Sequence, residues 1–264
     1  MSQQPQPSGV NSDARRDLGL MLMDFDARVE QVKREASLPA RGLAVFERAV
    51  GHVDRNKVRE LQGFIRSDQD WIVAQPAFKY LDLPRYLADK SRWIVELDLD
   101  SRSPIKILDL GVGGGHFPFL AALYGHEVTG IDMDNAIYAR LLELYSVRRN
   151  VQMITPGTPL MVEGRFDLVT ALQMTFNRMM GRAARGRPSV YWSTGEWAGF
   201  LDNLCSHLNF PGQIFFGLNR QPHPEMGKDH ADDLLLLFGK NGAFVDRKKH
   251  SVRFNLSGPI ALKD

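Results

Sequence analysis

Asp109, Gly111, Gly113 and Gly115 stand in the series Asp-Leu-Gly-Val-Gly-Gly-Gly, and Asp132 follows seventeen residues after the last glycine. These residue types at this spacing suit the holding of a nucleoside. Glycines turn tightly and let a ligand lie against the backbone. Amides at the start of a following helix favour polar or anionic groups. An acid at the end of the next strand reaches a ribose diol. A dinucleotide loop wants Gly-x-Gly-x-x-Gly. Gly111 and Gly113 fit it, but His116 stands where the third glycine belongs. The carboxylate of Asp109 would also repel a pyrophosphate and suits a cationic group. Both points argue against a nicotinamide dehydrogenase.

The elements around this loop must place it at a sheet edge. IKILDLG (105–111) reads as a buried strand and HFPFLAALYG (116–125) as a helix. EVTGID (127–132) is a second strand and residues 135–147 a second helix. Strands follow at 151–155, 166–172, 213–219 (after a turn at Pro211-Gly212), 243–246 and 252–256, with helices at 193–208 and 231–239. This alternation predicts an α/β fold with a mostly parallel seven-stranded sheet and helices on both faces. Upstream, Leu18, Met21, Leu22, Phe25, Val29 and Val32 predict one amphipathic helix, with Ser12 or Asp13 able to cap it. Residues 45–65 predict another, with Gly51 as its break. The chain therefore divides into a polar, disordered tail (1–11), a helical N-terminal extension (12–100) acting as cap or lid, and an α/β domain (101–264).

In order along the chain, ILDLGVGGG, VTGID, FDLVTAL and LNFPGQIFFGLN resemble the class I S-adenosylmethionine-dependent methyltransferases, which have a Rossmann-like fold. The resemblance covers about residues 104 to 256 and is silent on substrate. It implies S-adenosyl-L-methionine as cofactor, with Asp109 by its methionine end and Gly111, Gly113 and Gly115 giving close backbone approach. Asp132 would bind the ribose hydroxyls and Met133 would pack on the adenine. Leu172 and Gln173 would border the methionine part. Many members carry an acid or Asn after the third strand to meet the adenine amino group. Here the chain reads ITPGTPL, where Thr155 or Thr158 stands in.

The catalytic group is not singled out. His116, Asn177, Glu196 and His223 are candidates for taking a proton or orienting the acceptor. His116 is equally well a first-turn helix residue. Ser193-Thr-Gly-Glu196 matches a capping box, the favoured role for Glu196, and Asp134 precedes a helical pattern as its cap. Trp192 and Trp197 read as core before pocket wall. Trp71, Phe78 and Tyr80 either close over the sulfonium, where a cation–π contact helps, or pack as core. Arg178, Arg182, Arg185 and Arg187 read as a solvated loop before an anion clamp. The N-terminal helices suit a lid or a homodimer interface.

Composition bounds the rest. Lys plus Arg number 33 against 31 Asp plus Glu, a net charge of +2. This gives no global drive toward nucleic acid, so an RNA acceptor is disfavoured against a small metabolite or sugar. Cys205 is the only cysteine and cannot form an internal disulfide, which suits a reducing, cytoplasmic location. No apolar run approaches the roughly 18 residues of a membrane span. The first apolar run, Leu18 to Met23, is too short for a secretory signal core. No histidine has metal-ligand spacing, so no metal is expected. The expected partner is a small-molecule methyl acceptor. A non-catalytic cofactor-binding or scaffold protein is the alternative from another class.

Overall fold

The computed structural model describes residues 12–177, 191–220, 222–223, 228–260 and 262. The expected tail, 1–11, and the arginine-rich stretch, 178–187, lie outside them. The chain forms two compact units. One holds the described residues up to Ser103 with Gly113–Tyr124 and Asn135–Val147. The other holds Pro104–Val112, Gly125–Asp134 and the described residues from Arg148 on.

The first unit is helical: α1 (Ser12–Leu22), α2 (Phe25–Glu35), α3 (Ala40–His52), α4 (Arg55–Ser67), α5 (Gln69–Ala74), a 3-10 turn (Phe78–Leu81), α6 (Leu83–Glu96), α7 (His116–Ala122) and α8 (Ala136–Tyr145). Each long amphipathic pattern expected in the sequence is two helices. The first breaks at Asp24, whose side chain accepts from the Ala27 amide at 3.0 Å. The second breaks at Val53-Asp54, and Asp54 caps α4 at 2.8 Å from the Asn56 amide. Gly51 lies within α3. Apolar spacing runs through such breaks because the helices on both sides bury residues. The aspartates mark the ends by meeting orphan amides. The cap of α8 is Asn135, which accepts from the Ile137 and Tyr138 amides, and not the expected Asp134.

Arg28 and Asp82 are buried here at 4% and 3% exposure. Arg28 Nε and Nη2 donate to the two Asp82 carboxylate oxygens at 3.1 and 2.6 Å. Such a fork satisfies both charges away from water.

The second unit is a seven-stranded sheet in the order β3-β2-β1-β4-β5-β9-β8. The strands are β1 (Lys106–Leu110), β2 (Glu127–Asp132), β3 (Arg149–Val151), β4 (Phe166–Met174), β5 (Leu208–Leu218), β8 (Phe244–Asp246) and β9 (Ser251–Leu256), with a small ribbon of β6 (Pro222–His223) and β7 (Lys228–Asp229). The first five are parallel; β9 and β8 are antiparallel. The fold is thus the α/β type with a mostly parallel sheet that the strand–helix alternation predicts. Leu108, Leu110, Val169, Ile214 and Phe216 from the sheet share one core with residues of α9 (Thr194–Ser206) and α10 (His230–Lys240), among them Trp197, Leu201, Leu234 and Phe238.

Two strands differ from expectation by more than two residues at one end. The third strand is Arg149–Val151, not 151–155. Beyond it Gln152 turns its side chain to the Pro159 carbonyl and the Met161 amide, at 2.8 Å each, and builds a loop in place of a ladder. Pro211-Gly212 is not a turn before the fifth strand but a bulge within it. Phe166 pairs with Leu208 and Leu168 already with Gln213. Gly212 is required there, since a Cβ would lie 2.2 Å from the Asn209 carbonyl oxygen.

Arg28→Met leaves the Asp82 carboxylate buried without its cation. Urea unfolding should show a loss of about 3–5 kcal/mol. Glu35→Gln, which removes an exposed partner of the same guanidinium, should cost below about 1 kcal/mol.

Candidate functional site

In an open parallel sheet a ligand crevice lies at the carboxyl ends of the strands where the order reverses. Here that point is between β1 and β4, since the chain runs outward to β2 and β3 on one side and to β5 on the other. Within the sheet unit the ends of β1, β2 and β4 carry Asp109 and Gly111, Asp132 and Met133, and Leu172 and Gln173.

Asp109 is 2% exposed and stands opposite Thr170 in the ladder. The Thr170 hydroxyl donates to its Oδ1 at 2.7 Å. Sequence reasoning missed Thr170, although a polar residue in the middle of the apolar run FDLVTAL is the signal that would have found it. Just past Asp109 the chain bends. The Gly111 and Val112 amides both donate to the Ile131 carbonyl, at 2.8 and 3.2 Å. Gly111 has φ +72°, and a Cβ there would lie 3.2 Å from Met174 Sδ.

Asp132 is half-buried at the end of β2. Its Oδ1 accepts from the Met133 amide at 2.7 Å. The Met133 carbonyl accepts from Arg149 Nη1 at 2.8 Å, and Asp134 pairs with Arg149 Nη2 at 3.1 Å. Arg149, a second residue missed in the sequence, thus holds the turn after β2 and takes the carboxylate expected as a helix cap. Thr155 and Thr158 share a hydrogen bond of 2.8 Å. Leu172 is buried, whereas Gln173 is exposed with φ +60°.

In the helical unit, Gly113 and Gly115 have φ +56° and +78°, and Gly115 is the residue before α7. A Cβ on Gly115 would meet Leu142 Cδ2 at 2.8 Å, so both backbone and space demand glycine.

Of the catalytic candidates, His116 is 2% exposed. Its ring lies among Tyr86 and Tyr145, with centroids 5.5 and 5.2 Å away. Burial, helped by the charge of Lys90, pushes it down to about 3 from 6.5, against a hydrogen bond to the Tyr80 backbone. It is a neutral imidazole at physiological pH. Glu196 completes a capping box with Ser193: its Oε2 accepts from the Ser193 amide and hydroxyl at 2.8 Å each. Asn177 is half-buried and forms an antiparallel bridge with Tyr191. His223 pairs by backbone with Lys228; its side chain lies outside the described structure. Trp192 and Trp197 are core residues, 4% and 0% exposed, packed edge-on against Phe176. Among the described residues no group of three or more His, Cys, Asp or Glu is placed to hold a metal, and no helix is long and apolar enough to cross a membrane.

None of the family models matches the chain, nor does any curated protein. Solved structures do resemble it. A ribosomal protein L11 methylase from Lactobacillus delbrueckii subsp. bulgaricus is 18% identical, with a TM-score of 0.38 over 64% of this chain and 76% of that one. The CcbJ methyltransferase from Streptomyces caelestis is 21% identical, with a TM-score of 0.34 over 48% and 47%. SAM-bound CalS10, an amino pentose methyltransferase from Micromonospora echinaspora, is 18% identical, with a TM-score of 0.36 over 50% of each chain. The chain thus spans about half the length of the last two. Likeness at this level speaks for neither activity nor substrate.

His116 gives a pH signature. Unfolded, it regains its ordinary 6.5. Between about pH 3 and 6.5 only the unfolded chain holds that proton, so its contribution is full above 6.5 and falls as the pH drops. The slope is at most about 1.4 kcal/mol per pH unit. In urea unfolding, the stability gap between pH 7.5 and pH 5 should shrink by about 2 kcal/mol in His116→Phe. An unchanged gap would show that the ring protonates freely in the fold.

Proposed function

We propose that this chain is an S-adenosylmethionine-dependent methyltransferase acting on an O or N of a small metabolite or sugar. One observation carries the reading: a buried carboxylate, Asp109, stands two residues before the positive-φ bend at Gly111, at the switch between β1 and β4. A buried carboxylate at a sheet edge is complementary to a cationic ligand group, and repels a pyrophosphate. The antiparallel neighbour of β5 also departs from the strand arrangement of dinucleotide-binding sheets, which continue parallel past the fifth strand.

The residues present fit such a cofactor. Asp109 faces the ammonium and sulfonium end in this reading. Gly111, Gly113 and Gly115 present bare backbone. Asp132 takes the ribose hydroxyls, Met133 lies on the adenine, and Leu172 and Gln173 border the methionine part. The cofactor, when bound, supplies a methyl group made electrophilic by the sulfonium. The chain's own part is to orient the ligand, exclude water and hold the acceptor in line, about 3 Å from the methyl carbon. A neutral amine acceptor needs no base before transfer, whereas a hydroxyl does; no base is assigned. Residues 12–100 act as the substrate-selecting cap and 101–264 as the transferring domain of a cytoplasmic enzyme.

Calorimetric titration of the folded chain with S-adenosylmethionine should show binding, whereas none at millimolar ligand would end this reading. Asp132→Ala should weaken it by about 10- to 100-fold, the loss expected for hydrogen bonds to a charged group. Unchanged affinity would remove Asp132 from the site.

A further inference from the structure

Gln173 is a non-glycine residue at φ +60°. It sits at a register break, where Leu172 pairs with Gly217 and Met174 already with Leu218. An extra residue is thus inserted into β4 at its carboxyl end, which re-aims the chain as β-bulges beside sites do. A left-handed conformation is unfavourable for an L side chain and persists only where neighbours hold it.

Asn219 is one residue that ties it down. It is half-buried and directly follows β5. Its amide Nδ2 donates to the Gln173 carbonyl and also, at 3.3 Å, to the Thr175 hydroxyl. One side chain therefore ties down the residues on both sides of Met174. Met174 in turn lies over Gly111, its Sδ where a Cβ would make a 3.2 Å contact. The chain that passes from Gln173 to Thr175 is thereby fixed against the end of β1.

We propose that Asn219 is a positioning residue for the amino-acid end of the cofactor, acting through Gln173 and Met174 without touching the ligand. The inference rests on the cofactor reading above. It predicts a selective effect. Loss of the clamp should weaken ligands that carry the amino-acid tail and spare those that carry only the nucleoside.

The test is calorimetry on the full chain with two ligands. S-adenosylmethionine has the tail; 5′-methylthioadenosine has the same nucleoside without it. Asn219→Asp keeps the size and removes the donor. It should weaken S-adenosylmethionine about tenfold, the scale of one well-placed hydrogen bond, and change 5′-methylthioadenosine by less than about twofold. Asn219→Ala should behave alike and serves if the aspartate variant does not fold, which melting curves report. Gln173→Gly supplies a residue for which φ +60° is costless. In that background, Asn219→Asp should shift S-adenosylmethionine affinity by less than about twofold. Equal losses for both ligands, no loss for either, or a full tenfold loss in the glycine background would each overturn the proposal. A wild-type chain that binds neither ligand would overturn the cofactor reading itself. Wild-type binding with insensitive Asn219 variants would overturn the positioning role alone.

Discussion

The hydrogen bond from the Thr170 hydroxyl to the Asp109 carboxylate, 2.7 Å long, is the interaction on which the sheet edge depends. A carboxylate at 2% exposure is costly unless its lone pairs are met. Its place is set by register, since Asp109 and Thr170 face each other across the β1–β4 ladder. These are the two strands between which the order of the sheet reverses. The carboxylate therefore occupies the position where the topology opens a crevice. The bend that follows is tied to β2 through the Ile131 carbonyl, so the ends of β1 and β2 are held in a fixed relation.

The same economy recurs along that edge. Arg149 holds the turn after β2 by its carbonyl and its carboxylate, and Asn219 holds the bulge at the carboxyl end of β4. Each is a polar side chain on a neighbouring strand or at its end, meeting backbone groups that the ladder leaves over. Sites that must keep a ligand in one orientation are built on such rigid elements with supporting hydrogen bonds. By contrast His116, next to the glycines in sequence, is absorbed into a tyrosine cluster of the helical unit. Proximity along the chain to a binding motif is thus a poor guide to chemistry.

Strand and helix alternation was legible in the sequence because the parallel strands are short apolar runs and the helices between them are amphipathic. The glycine loop was legible because glycine is the residue that adopts φ +72° at Gly111 and +78° at Gly115 without steric cost. The capping box at Ser193 and Glu196 was legible from two residues at fixed spacing. What was not legible depends on long-range pairing. Asp134 looks like a cap until Arg149, fifteen residues on, takes its carboxylate. Nothing near Gln173 in the chain announces a bulge, since the register shift arises against β5, more than forty residues later. The breaks at Asp24 and Asp54 were hidden because apolar periodicity carries across them.

A crystal structure grown with S-adenosylhomocysteine would locate the nucleoside on the sheet. The ribose hydroxyls should lie within hydrogen-bonding distance of the Asp132 carboxylate and the ligand backbone against the bend that begins at Gly111. The ammonium group should lie on the Asp109 side. Density for the ligand at any other place, or a bend filled by the chain's own side chains, would contradict the cofactor reading.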